Sequence, residues 1–221
     1  MSRVVYEDKL NEVIEIFLKE DEALTYYALD KVNQKRVFHL ASNARLVYYE
    51  LNTKPLESNL EVLLEGEGAS FEAKTLTIGA ADKYSYIQNV IHNEKHTNSN
   101  ITNFAIGLNN SNVNFDTTGK INKGMSGSDC RQLSKGIIIS DDATITSEPI
   151  LLIDEYDVFA AHGASIGKMS DEEMFYLMSR GLSKDEALTL IVNGLIEPFL
   201  EKLGKENQEK YEEIINKIIE G

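Results

Sequence analysis

The 221-residue chain has no tryptophan, one cysteine and three prolines, and its 22 lysines and arginines are outnumbered by 36 aspartates and glutamates. Each shortage excludes something. A lone cysteine, Cys130, rules out an internal disulfide framework and any metal or cluster cage made only of this chain's cysteines, and it fits a reducing compartment. A formal charge of −14 repels phosphate backbones and anionic headgroups at long range, which argues against nucleic acid as a partner. No apolar run approaches the roughly 18 residues of a membrane span, and Met1 to Lys9 lacks the basic-then-apolar pattern of an export signal. The expectation is a soluble, cytoplasmic protein. Also missing are a G-x-x-x-x-G-K-[ST] phosphate cradle near Gly66, Gly68, Gly79 or Gly163 to Lys168, and a G-x-S-x-G elbow, despite Gly124-Met125-Ser126-Gly127-Ser128. ATP hydrolysis by this chain is not expected, and neither is catalysis by a serine nucleophile.

What the sequence does have, from Val13 to about Ala161, is a series of short runs in which apolar and polar residues alternate between Gly, Asn, Asp and Ser clusters. Val13 to Leu18, Leu24 to Tyr27, Arg45 to Tyr49, Leu60 to Leu64, Thr75 to Ile78, Phe104 to Ile106, Ile137 to Ile139 and Ile150 to Ile153 read as strands. A turn residue, then Ala, then an extended run recurs at Asn43-Ala44-Arg45-Leu46, Gly68-Ala69-Ser70-Phe71 and Asp142-Ala143-Thr144-Ile145. This loose echo suits coils stacked into a parallel β-helix, with a sandwich as the alternative. Such a stack leaves open strand edges, which proteins cover or use for pairing.

After Gly167 the pattern becomes helical. Ser170-Asp171-Glu172-Glu173 and Ser183-Lys184-Asp185-Glu186 read as capping boxes. They predict helices from Asp171 to about Arg180, ended by a left-handed Gly181, and from Lys184 to about Leu203, bent or divided at Pro198. A third, roughly Glu206 to Ile219, is too short to be stable alone and must pack on something. The expected division is a β-helix core over 1–167 and a small α-helical C-terminal domain over 168–221.

Several motifs occur in order: Ile137-Ile138-Ile139-Ser140-Asp141-Asp142-Ala143, Ser147-Glu148-Pro149-Ile150-Leu151-Leu152-Ile153, Tyr156-Asp157-Val158, His162-Gly163-Ala164-Ser165-Ile166-Gly167, Phe175-Tyr176-Leu177-Met178-Ser179-Arg180-Gly181 and Glu186-Ala187. In this order they resemble the C-terminal core of the SufB/SufD family of iron-sulfur cluster assembly scaffolds. Gly66-Glu67-Gly68-Ala69, His92 and Asn112-Val113-Asn114-Phe115 fit more loosely. The resemblance implies a right-handed parallel β-helix with a helical C-terminal domain, and larger members carry a further N-terminal region. It implies a scaffold rather than an enzyme, with a SufC-like ATPase on the helical domain at Phe175, Tyr176, Arg180 and Gly181. A SufB-like scaffold or a second copy would pair at the β-helix, with a transient iron-sulfur cluster at that seam. Pro149, Gly163, Ala164 and Gly167 are structural members of the motifs.

Within the family, the SufB type has a cysteine at the position matched here by Ser134 and a glutamate matched by Gly163. His-Gly-Ala is the SufD-type pattern, and the SufD cysteine two residues earlier is Ala160. His162 is thus the matched candidate ligand for cluster or iron, set against the reading of a satisfied histidine in a strand-to-turn corner. Cys130 is the other candidate, although a thiol in a Gly/Ser-rich stretch is more often structural. His92 and His96 have zinc-like H-x-x-x-H spacing, but their Asn, Thr and Ser neighbours mark a loop, and both read as surface or turn histidines. Two further readings remain: a homodimeric scaffold that builds the cluster with Cys130 and His162, and a carbohydrate-active or acyl-transferring β-helix enzyme. The latter needs clustered acids, and Asp141-Asp142 and Asp154-Glu155 sit in turn-like segments.

Overall fold

The computed structural model describes residues 2–7, 13–31 and 33–220. Among these residues, thirteen strands are followed by three α-helices. The strands are β1 (Ser2–Tyr6), β2 (Val13–Leu18), β3 (Ala23–Leu29), β4 (Gln34–Leu40), β5 (Arg45–Asn52), β6 (Leu56–Leu64), β7 (Ser70–Gly79), β8 (Lys83–His92), β9 (Asn98–Gly107), β10 (Asn112–Ile121), β11 (Asp129–Ile138), β12 (Thr144–Ile153) and β13 (Phe159–Lys168). The helices are α1 (Asp171–Ser179), α2 (Lys184–Leu200) and α3 (Lys205–Glu220). Odd strands form one seven-stranded sheet in sequence order and even strands a six-stranded sheet, all pairs parallel. Each coil therefore gives one strand to each sheet, which is a parallel β-solenoid and not a sandwich. Five of the strands, β1, β4, β8, β10 and β13, lie outside the alternating runs read from the sequence.

Parallel pairing puts partnered residues on the same face, so each coil adds a rung to a set of continuous columns. One interior column runs Tyr26, Tyr48, Ala73, Ile101, Gln132, His162, and its neighbour runs Leu24, Leu46, Phe71, Ser99, Cys130, Ala160. On the facing sheet Leu18, Leu40, Leu64, His92, Ile121 and Ile153 align in the same way. Partners are 22 residues apart early in the chain (Ala23 with Arg45) and 31 apart later (Asn98 with Asp129), because the strands lengthen from seven residues to ten and one corner also grows. That growth is why the sequence echo has no fixed period. Asn43 and Gly68 are both left-handed at one corner, each followed by a fully buried alanine, Ala44 and Ala69. Asp142 precedes a strand of the other sheet and belongs to a different corner. Gly66 is obligatory for a packing reason: a Cβ there would lie 1.9 Å from the Ser42 backbone nitrogen.

The interior combines apolar columns with buried polar groups at both ends of the stack. Two satisfied clusters explain how polar groups are tolerated there. Gln88 Nε2 donates to Thr75 (3.1 Å) and Asn103 (3.1 Å), while Asn103 Nδ2 donates to Gln88 Oε1 at 2.8 Å. At the N-terminal end the fully buried Arg36 donates to Glu7 through Nε (2.6 Å) and Nη2 (3.2 Å), with Glu50 at 3.6 Å from Nη1.

The helices fold back over the outer face of the odd-strand sheet. Tyr6, Tyr27 and Tyr49 stack at 4.6 and 5.1 Å on that face. Tyr6 and Tyr27 donate their hydroxyls to the Leu203 and Lys202 carbonyls, and Tyr49 meets Phe199 edge-on. Ala187, Val192, Ile196 and Leu200 of α2 and Tyr211 and Ile215 of α3 complete this second core, which supplies the packing partner that α3 required. Ser183 and Glu186 form a full capping box, whereas Ser170 accepts from the Glu173 N–H without a return bond. Gly181, at φ +100°, ends α1: its N–H bonds the Met178 carbonyl and that of Leu182 the Leu177 carbonyl, a Schellman closure. Pro198 lies inside α2, which runs on to Leu200 before a 3-10 turn at Glu201–Leu203. No helix among the described residues is long and apolar enough to cross a membrane.

Candidate functional site at the open end

The solenoid ends at β12 and β13, each hydrogen-bonded to a neighbour on one side only. Their outer edges carry unpaired backbone groups, and Leu133, Ile150, Leu152 and Phe159 are exposed beside them. Such an edge is a template for another strand.

His162 lies in the middle of β13, not in a corner, so the reading of a satisfied turn histidine is corrected. It is the last rung of its interior column, partnered with Gln132 on β11, and with no coil stacked above it the ring is exposed. No hydrogen bond or ion pair engages it among the described residues. Gly163 and Gly167 have room around them, since a Cβ at Gly163 would meet only Leu133 at 3.5 Å and one at Gly167 nothing within 4 Å. The chain's own packing does not require glycine at either place. Ala164 is an exposed inner-face rung above the buried Ser134, and Pro149 occupies the edge strand β12, where a missing N–H costs least.

Cys130 sits on β11 at the interior-facing position beneath Ala160, two residues from Gln132, which makes it a diagonal neighbour of His162. It is almost fully buried, and burial pushes its thiol up against a smaller opposing effect of the Ser99 hydroxyl. The two candidate ligands thus share one face but differ in access. The expectation that His92 is a surface or turn histidine is overturned. It ends β8 wholly inside the solenoid, with Nδ1 2.7 Å from Thr97 Oγ1 and Nε2 2.9 Å from Ser99 Oγ, and burial lowers it to about 4. His96 is exposed in a left-handed turn, as expected. No group of three or more metal-ligating side chains occurs among the described residues.

Two side-chain atoms near this end are buried without a partner: Gln132 Oε1 and Ser147 Oγ. An orphaned buried acceptor costs about 1–3 kcal/mol unless a ligand, water or neighbour satisfies it. Sequence reading misses both. The signal for Gln132 is the period-two run Cys130-x-Gln132-x-Ser134, which places it inside, but only the strand register shows it beside His162.

The helical residues expected to meet a partner lie on the outside of α1. Phe175 is 74% and Tyr176 56% exposed, with Arg180 over the Tyr176 ring at 5.2 Å. Met174 is the α1 residue that seals the core, with Leu177 partly buried beside it, so Phe175 has no sealing role. Between α1, α2 and the end of β11 opens a groove of about 830 Å³, floored by Ile137, Met169, Leu177, Ile191 and Leu195. The acid pairs invoked for an enzyme are turn residues: Lys168 donates to Asp141 at 2.6 Å, and Glu155 accepts backbone N–H groups from Gly124 and Tyr156.

The chain is thus a parallel β-solenoid with an imidazole on its open rung and a back-folded helical tail. The SUF system FeS cluster assembly SufBD core domain matches residues 5–195, and the chain belongs to that family. Among curated proteins it is 29% identical over 210 residues to the iron-sulfur cluster assembly protein SufD of Bacillus subtilis, covering 90% of this chain and 48% of that one. It is 28% identical over 222 residues to iron-sulfur cluster assembly SufBD family proteins of Staphylococcus saprophyticus and Staphylococcus aureus, covering 95% of this chain and 47% of each. The chain spans about half the length of these relatives.

Proposed function

We propose that the chain is a SufD-like, non-catalytic scaffold of iron-sulfur cluster assembly, pairing through its last coil with a SufB-like scaffold and receiving a SufC-like ATPase on its helices. The observation that carries this reading is His162, unengaged and exposed on the terminal rung of an interior column beside an unpaired edge. A neutral imidazole there is a borderline donor suited to iron, and a second scaffold adding a strand to β13 would enclose it and supply the softer ligands. The cluster is cargo held at that seam. The exposed Phe175 and Tyr176 pair, beside an apolar groove and within an otherwise acidic chain, offers a partner the aromatic and arginine anchors typical of interface centres.

Co-purification tests both contacts. A SufC-like ATPase is expected to bind the full chain and to lose at least tenfold in affinity against Phe175→Asp, which lies outside the core. A cysteine-bearing SufB-like scaffold is expected to bind wild type and to fail to hold a cluster with His162→Ala. Folded protein that binds neither at micromolar concentration overturns the reading.

The homodimeric, cluster-building alternative draws on Cys130 and His162 sharing one inner face. Burial of Cys130 under Ala160 counts against it, because a ligand on that sulfur would require the last coil to separate from β11.

A further inference from the structure

We propose that Gln132 is a positioning residue for His162: its side-chain carbonyl accepts the N–H of one ring nitrogen and thereby presents the other nitrogen, unprotonated, to a metal. This rests on the reading of His162 as a ligand, and three features of the open end support it.

The first is register. Gln132 and His162 are direct partners on adjacent parallel strands, facing the interior side, at the strand spacing of roughly 4.8 Å within which neighbouring side chains touch. The second is the orientation of the amide. Gln132 Nε2 donates to the Ile150 carbonyl at 3.3 Å. Flipping the amide would set two oxygens against each other, so Oε1 is fixed as the free atom. That oxygen is buried and without a partner, although Gln132 as a whole is 95% buried and such groups are nearly always paired. The third is the ring, which makes no hydrogen bond of its own among the described residues. An unengaged acceptor therefore lies beside an unengaged ring whose neutral form has one N–H to give. The flanking rungs, Ala160 and Ala164, offer no competing side-chain acceptor.

The chemistry follows from the imidazole's two nitrogens. A free neutral ring divides between tautomers, so either nitrogen can hold the proton. An acceptor on one side selects the tautomer, orients the plane and raises the basicity of the remaining lone pair, and loss of such a partner typically weakens metal binding 10–100-fold.

The test uses the ¹⁵N-labelled full chain titrated with Zn²⁺ alone and read by long-range ¹H–¹⁵N spectra of the histidine rings, with His162 assigned through His162→Gln. In wild type one His162 nitrogen is expected to shift as metal-bound while the other keeps a slowly exchanging proton. Gln132→Glu, which retains an acceptor, is expected to preserve that signature. Gln132→Met, of similar length but without an acceptor, is expected to lose the protected proton and bind Zn²⁺ at His162 10–100-fold more weakly; Gln132→Leu serves if the methionine variant does not fold. Unchanged affinity and an unchanged ring proton in a folded acceptor-free variant overturn the role of Gln132 and leave His162 as a ligand. A wild-type His162 ring that Zn²⁺ does not shift overturns both.

Discussion

His92 makes the stability of the solenoid depend on pH in a calculable way. Its ring is fully buried between Thr97 and Ser99, whose hydroxyls can act as one donor and one acceptor for a neutral imidazole. Protonation would place a charge inside the stack. Desolvation lowers the group from 6.5 to about 4, with a smaller opposing effect of Asp129. The unfolded chain therefore binds more protons between those values, and the contribution is complete above pH 6.5 and lost as the pH falls towards 4. At about 1.4 kcal/mol for each tenfold difference in proton affinity, the loss is about 2 kcal/mol between pH 7 and pH 5 and about 3 kcal/mol by pH 4. Urea unfolding at pH 7 and pH 5 measures it. Comparison with His92→Gln removes contributions from the other histidines and from surface carboxylates. The pH-dependent loss is expected to be smaller in the variant by about 2 kcal/mol, whatever its stability at pH 7. An equal loss in both proteins would refute the assignment of His92 as a buried neutral histidine.

Glu7→Ala leaves Arg36 buried without its bidentate partner and is expected to cost about 3–5 kcal/mol in denaturant unfolding, far more than loss of the exposed pair Lys217–Glu213. Cys130, buried and with its thiol pushed up, is expected to react with a disulfide reagent only after unfolding. Native-state labelling as fast as that of the urea-unfolded chain would mean that the last coil opens readily, which would revive the cluster-building homodimer.

The parts of the fold that are legible in the sequence are those decided by local chemistry. Val13 to Leu18 alternates because one face is inside, and Ser183 with Glu186 announces α2 because both groups of the capping box lie within one turn. Strands β4, β8 and β10 stay hidden because their inward positions include Arg36, Gln88, His92 and Thr117, polar residues paired across coils and not within their own segments. His92 misleads for the same reason: Asn93, Glu94 and Lys95 follow it, yet it is the last inward residue before the corner. The column that joins Gln132 to His162 depends on a 30-residue offset, whereas the offset between Ala23 and Arg45 is 22, so no fixed period reveals it.

The two ends of the molecule are held differently, and this bears on the proposed partnership. Near the first coils, α2, the 3-10 turn and α3 are anchored by the Tyr6, Tyr27 and Tyr49 stack and its bonds to the Lys202 and Leu203 carbonyls. At the other end only Met169 and Ser170 separate β13 from α1, and the Met169 N–H is tied to the Ile138 carbonyl of β11. The strand that carries His162 and the helix that carries Phe175 and Tyr176 are therefore joined by a two-residue link, while the remaining helices are clamped elsewhere. A partner that shifted α1 would act through that link on β13 and on its contacts with β11. Because β13 has a neighbour on one side only, no strand beyond it opposes such a shift.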